Sequence, residues 1–571
     1  MRSFTLKYFS AFLVVCLATW LVWTRFDYSL TGVDDANIFF IYARNLANGY
    51  GFVYNAGGEK VEGFTSLLWT LICAIALFFS SNPEFIVIIV NISLISLGVT
   101  FAIAYIQSVF VIQRDSVLER YVWPLVFLVL LVTSPAYMLW NSISLMENAL
   151  WSTLLLIGTI LVIQENISSR VINLVFIPLS ILLLLTRPES LLWVSIFTGI
   201  LLVRKIWTDR IWHALKELLP LFLSIVVTMS GLTVFRLSYF GYPLPNTYYA
   251  KVSPSLFYNF SRGIPYFIKY FISNPIVTIC ILAAILAGVH TVLVIMEKKY
   301  TDDGRFFLPV LALVGLLAPV VTGGDHFTSF RFYQSVYPIL LLCLFYFVNS
   351  VLPHYIQLKL DFHALGWPQR IFVYSLALLL IVFVIASQAR DWFLSEETEK
   401  MSVEFELAKK GRDAGLFLAQ LFTPLPELPK IGVVRAGGIK YTYPGEVIDL
   451  MGLNNLLMAH NGGDRLGEKN HAAFEKSTFY ELQPDLVSAE IVSKRDWQYQ
   501  AIVLKKSWDN TVALKGLYDD STFLKQYVYA KVERKDAEMG KALVGWFRKQ
   551  YLEELGSSGD FHIERYKYPN G

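Results

Sequence analysis

The chain reads as a polytopic α-helical membrane protein with a C-terminal soluble α+β domain, and three observations lead there. Hydrophobic residues make up 55% of its 571 residues and charged ones only 16%, where soluble globular proteins carry about 25% charge. The apolar residues gather into runs that end before residue 390, with polar signatures between them. After 390 the composition shifts to charge clusters, short β-type runs and Gly/Pro turns. A net charge of +3 gives no basis for nucleic acid as a partner. Cys16, Cys73, Cys280 and Cys343 all sit in apolar runs. They offer no disulfide framework and no metal-type spacing.

The first element is an apolar run to about Thr24, behind Arg2 and Lys7. It resembles a signal peptide but lacks a small-residue cleavage site, so it reads as an uncleaved first helix. Further apolar stretches fall at 65–80, 84–112, 121–140, 149–164, 170–186, 190–203, 217–236, 272–296, 306–322, 333–351 and 371–388. Several are shorter than the ~20 residues of an average span. The basic loops at 204–216 and 298–305, and the weaker one at 353–370, orient them by the positive-inside rule. That rule puts the amino terminus in the cytoplasm and the loops at 25–64, 238–271 and 323–332 outside, with everything after 390. Inside and outside termini need an odd number of crossings, so one of the twelve candidates fails to cross fully: 65–80 or 121–140. The expectation is about 11 transmembrane helices in residues 1–389 and an extracytoplasmic α+β domain in 390–571. No fixed-period repeat or low-complexity segment interrupts this organisation.

The polar signatures all land on the outer side. Asp34 and Asp35 follow the first span, in VDDANI, and Arg44, Lys60 and Glu62 lie downstream among glycines. Carboxylates at a membrane boundary cost desolvation, so they usually serve chemistry or ion handling. Glu147 stands in SLMEN, Arg187 and Glu189 in LTRPE, Asn246, Tyr248 and Lys251 in LPNTYYAK, and Asp325, His326 and Arg331 in GGDHFTSFR. Each alone reads more readily as a cap, a turn or a snorkelling charge than as a site. Together they put acids, phosphate-competent cations and aromatic rings on one face of a membrane.

That mixture suits transfer from a lipid-linked sugar phosphate. Arg and Lys hold a phosphate, and Tyr and Trp sit well at the interface. A carboxylate takes the proton from an acceptor hydroxyl as it attacks the anomeric carbon, and cations stabilise the departing phosphate. No nucleotide-binding glycine loop is present for a cytoplasmic nucleotide-sugar donor.

The run VDDANIFFIYARNLANGYGFVYNAGGEKVEGFTSLLWTL resembles the first outer loop of bacterial C-type (GT-C) polyprenyl-phosphate-sugar glycosyltransferases. It is similar to the mycobacterial terminal β-(1→2) arabinofuranosyltransferase group, which carries DD, RYA, EGYT, GLET, LTRPE, LPNTYYAK, GGD and IDL-GL elements in this order. The resemblance covers roughly residues 1–475. Here RYA is IYA, GLET is LMEN with Glu147 kept, and EGYT is EGFT. These departures bear on substrate detail.

The resemblance implies a GT-C-like bundle in a bacterial inner membrane, working with inversion on the outer face. A polyprenyl-phosphate sugar, with arabinofuranose as the candidate, would be the donor. A cell-envelope glycan or glycoconjugate would be the acceptor. Asp34 is the favoured base, with Asp35 orienting or binding acceptor; the reverse assignment stays open. Glu62, Glu147 and Asp325 would line the acceptor or sugar pocket. Lys251, Arg187 and Arg331 would hold the phosphate, while Arg44 stands three positions from the family's arginine. A divalent metal is used by some members and not others, and no ligand spacing here decides it. Two rivals remain: a transporter or flippase of a lipid-linked glycan, and a non-catalytic glycan-assembly subunit. The outer domain reads as a device for positioning acceptor.

Overall fold

The computed structural model describes residues 2–109, 117–164, 167–297, 303–356, 382–383, 386–393, 396–463, 465–469, 471–493, 497–536 and 541–566. The chain divides into two compact units. One comprises Met1–Tyr28, Phe85–Gly231 and Asn259–Ser402, the other Ser29–Glu84, Leu232–Tyr258 and Val403–Gly571.

Among the described residues eight helices are long and apolar enough to cross a membrane: Phe4–Phe26, Glu84–Val109, Ser169–Thr186, Ser190–Trp207, Ile211–Tyr239, Pro275–Met296, Gly304–Thr322 and Tyr337–Tyr355. Each provides the unbroken apolar length that satisfies backbone polar groups internally in lipid. Leu223, Val226 and Val227 are more than half exposed, as expected of a helix flank that faces acyl chains. The protein is thus a multi-span helical membrane protein with a sheet domain near its carboxyl end, the fold class expected from the sequence.

The crossing-count problem has a physical counterpart in both suspect stretches. Tyr121–Val132 and Pro135–Ile143 meet at a 72° bend, a broken span or a re-entrant loop. Ser134 caps the second piece, and Pro135 supplies a helix start there. Leu67–Phe79 has only 13 residues and packs on the Asp34–Ala47 helix, both within the second unit. The stretch at 149–164 is also a short helix, Asn148–Ile163. The basic pair Lys298–Lys299, most of the 353–370 loop and most of the 371–388 stretch lie outside the described residues.

The second unit carries a six-stranded sheet of order β2-β1-β3-β5-β4-β6. Its strands are β1 (Ile431–Val433), β2 (Val447–Asp449), β3 (Leu486–Ser493), β4 (Tyr527–Arg534), β5 (Lys541–Arg548) and β6 (Phe561–Arg565). β2, β1 and β3 run parallel, with Gly432 registered against Ile448 and Val487. β3, β5, β4 and β6 are joined antiparallel. Trp546 on β5 faces Tyr529 on β4 and is fully buried with Tyr518 and Phe523. Aromatic pairs of this kind add stabilisation beyond their buried area. The long tail after 506, which reads in sequence as merely charged, supplies half of the sheet.

Candidate functional site

In the sheet-bearing unit, the two acids open the Asp34–Ala47 helix, where an N-terminus favours negative charge. Their environments differ sharply. Asp34 is 8% exposed. Its two oxygens accept the backbone N–H groups of Gly437 (2.9 Å) and Gly438 (2.7 Å). Burial raises its carboxyl above the ordinary carboxylate value, and the two N–H bonds offset that only in part. A Cβ on Gly437 would lie 1.9 Å from the Asp34 carbonyl oxygen, so only glycine permits this approach. Asp35 is half-buried, and its Oδ2 stands 3.7 Å from the Lys251 Nζ. That distance gives charge compensation without a hydrogen bond.

The motifs around this pair interlock within the same unit. The Asn246 side-chain amide donates to the carbonyls of Gly452 (2.7 Å) and Leu453 (3.0 Å). LPNTYYAK is thereby pinned to the IDLMGLNN turn. Tyr42 donates to Asn454 Oδ1 (3.2 Å) and accepts from the Gly63 N–H (3.1 Å). A Cβ on Gly63 would meet Asn454 Oδ1 at 1.9 Å. Arg465 donates to the Tyr249 carbonyl (2.9 Å), and Tyr249 packs over His460 with ring centroids 4.3 Å apart. Tyr248 stays exposed beside Lys251. Arg44 donates to the Tyr441 carbonyl (2.6 Å) and lies over its ring. Both Glu62 oxygens are taken by Arg236, at 2.8 and 3.0 Å, in a buried bidentate pair.

Asp449 organises the turn that receives Asn246. It accepts from the N–H groups of Met451 and Asn454 and from the Asn454 amide, each at 2.9 Å. Burial still pushes its carboxyl up from 3.8 to about 6. A folded-state value above the unfolded one means that protonation favours the folded state. This contribution is complete below about pH 3.8 and is lost as pH rises through about 6. Since one pH unit of titration is equivalent to about 1.36 kcal/mol, the stability difference between wild type and Asp449→Asn should change by about 1 kcal/mol from pH 5 to 7, to the detriment of wild type. Thermal unfolding across that range measures it, and a flat difference would refute the buried-carboxylate account.

The helical unit gathers the other signatures. Arg187 pairs with Glu147 and, at 2.9 Å, with Glu189. Arg331 pairs with Asp325 at 2.7 Å, and His326 Nδ1 lies 3.3 Å from the same carboxylate. The Phe332 ring joins the two groups, 5.3 Å from the Arg187 guanidinium and 5.1 Å from that of Arg331. Backbone strain marks the same places: Leu145, Ser329 and Phe330 have φ of 63°, 56° and 53°. Such strain persists where surrounding structure over-determines it, often at functional sites. Three acids facing two guanidiniums leave this cluster without excess positive charge, so neither arginine stands as an uncompensated phosphate ligand.

Sequence reasoning missed Asp449, Asn454, Gly437, Gly438 and Arg465. IDLMGLNN was visible as a family element and a turn signal, and the RAGG glycines as a turn signal, but neither with a role for these residues. Their service to Asp34 and Asn246 depends on contacts hundreds of residues apart in sequence. Among the described residues the one metal-like grouping is Glu533, His562 and Glu564. The Lys531 ammonium already sits on both of its carboxylates.

No model of a known protein family matches this chain, and no curated protein does. Five solved chains match. ArnT from Cupriavidus metallidurans bound to undecaprenyl phosphate superposes with a TM-score of 0.52 at 12% identity, covering 94% of this chain and 98% of that one. The apo state of the same protein gives a TM-score of 0.48 at 12% identity over the same shares. The first likeness extends over nearly the whole of both chains, and at this identity it shows a common fold.

Proposed function

We propose that this protein is an inverting membrane glycosyltransferase. It moves a sugar from a polyprenyl-phosphate donor to a cell-envelope glycan or glycoconjugate at the outer face of a bacterial inner membrane. The Asp35–Lys251 couple carries the reading. It joins a half-buried carboxylate to a cation at 3.7 Å, on two motifs that resemble those of GT-C enzymes. A fold shared with a protein crystallised with undecaprenyl phosphate supports a lipid-phosphate donor. The motif resemblance supports arabinofuranose as the sugar.

The geometry favours Asp35, not Asp34, as the base. Asp34 already spends both oxygens on backbone N–H groups, which suits a residue that fixes its neighbour. In the proposed step, the acceptor hydroxyl gives its proton to the Asp35 carboxylate while its oxygen attacks the anomeric carbon. The bond to the phosphate oxygen breaks on the opposite face, and Lys251 stabilises the phosphate as it leaves. A phosphate that draws the ammonium removes the charge compensation of Lys251 from Asp35 and so makes that carboxylate the better proton acceptor.

Lys251→Ala should weaken binding of polyprenyl-phosphate sugar at least about tenfold, since a hydrogen bond to a charged group contributes about 1.5–3 kcal/mol. Titrating purified protein with the donor lipid measures this. Unchanged affinity would remove the phosphate role. Transfer, translocation or mere binding in proteoliposomes separates enzyme, flippase and assembly subunit. A cysteine at Ser255 that labels with an impermeant thiol reagent only in broken cells would invert the orientation.

A further inference from the structure

The parallel part of the sheet reverses its winding at β1. The chain leaves β1 toward β2 on one side and returns across it to β3 on the other. Such a reversal opens a crevice beyond the carboxyl ends of the two strands, because their connections depart in opposite directions. A cavity of about 460 Å³ lies there, lined by the residues that follow β1 and by the part of β3 that extends past their pairing. Its size falls within the range of small-ligand pockets, about 300–1,000 Å³.

The crevice walls combine apolar side chains with charges of both signs in near balance. Arg435 holds Asp509 through two bonds, at 2.8 and 3.1 Å. Glu490 is held by the Gln500 amide, and Lys410 stands at the rim. A β-bulge between Val487 and Glu490 places Ser488 at a φ of 51°. Bulges re-aim side chains and cluster beside binding sites. An anionic ligand would meet Asp34, Asp413, Glu490 and Asp509, and a cationic one Lys410, Arg435 and Lys541. Carboxylates that accept and cations that donate, in near balance, match a neutral ligand rich in hydroxyls. Asp34 also lines this cavity, and its chain neighbour is Asp35.

We infer that the β1–β3 crevice binds neutral saccharide units of the acceptor. This rests on the glycosyltransferase reading, which supplies the need for a glycan beside Asp34. Apart from Asp34, the residues of the crevice were not singled out by any sequence motif, and their juxtaposition comes from the sheet topology.

The test uses the full chain in lipid nanodiscs with three probes: linear arabinofuranosyl, mannosyl and glucosyl tetrasaccharides, followed by saturation-transfer NMR. At least one should bind. Glu490→Gln should weaken that binding about tenfold, and Ala489→Trp, which fills the crevice, should remove it. Undecaprenyl-phosphate binding and the unfolding temperature, read on the same samples, confirm that each variant is folded. Binding of none of the probes to wild type, or undiminished binding to both folded variants, overturns the inference. Saccharide binding that depends on the crevice, in a protein that ignores the donor lipid, would support the crevice and overturn the transferase reading instead.

Discussion

Asp35→Asn should lower sugar transfer by about 10²–10⁴-fold while leaving donor-lipid affinity intact, the range contributed by general base catalysis. The amide keeps the volume and the polar contacts of the side chain but cannot take up the proton of the attacking hydroxyl. At about 1.36 kcal/mol per decade, this is a loss of roughly 3–5 kcal/mol of transition-state stabilisation. Asp34→Asn should behave differently. Its amide can accept one of the two N–H groups of Gly437 and Gly438 but would turn an NH₂ toward the other, loosening the turn. Transfer should fall through poorer positioning, and the ascending limb of the pH–rate profile, which reports the base, should persist in the residual activity. The reverse result, an active Asp35→Asn beside an inert Asp34→Asn lacking that limb, would return the base to Asp34. Full activity in both would end the carboxylate mechanism.

The sequence favoured Asp34 for its place at the start of the outer loop beside a second acid, and nothing local separates two adjacent aspartates. What separates them is a contact across some four hundred residues, with Gly437 and Gly438 donating to one and Lys251 lying near the other. The apolar runs were legible because a span must satisfy its own backbone in lipid, so length and composition leave little choice. The bend at Thr133–Ser134 was visible only as a surplus crossing, since hydropathy does not register direction. β4 and β5 were hidden because both faces of their inner stretches are covered, which removes the alternation that marks a half-exposed strand. Lys531 illustrates this: it is buried on β4, with its ammonium on Glu533 and Glu564. In sequence the same lysine reads as solvated charge.

Glu62 poses the sharpest conflict between motif and geometry, and its removal should have the second-largest effect. The motif places it among groups that would touch sugar. In the structure it is 3% exposed and bound bidentately by Arg236. Taking one partner from a buried ion pair leaves an uncompensated charge, at a cost of about 3–5 kcal/mol, whereas replacing both with apolar residues of similar volume is often near neutral. Arg236→Met and Glu62→Leu should each sharply lower the unfolding temperature, read by size-exclusion fluorescence after heating. The double substitution should recover most of the loss. Burial already raises the Glu62 carboxyl above its ordinary value despite Arg236, so Arg236→Met should be less damaging at low pH, where that carboxyl takes up a proton and no longer buries a charge. Activity should follow stability through the cycle if Glu62 serves the fold. A double variant that regains its unfolding temperature yet transfers no sugar would instead place Glu62 in contact with substrate.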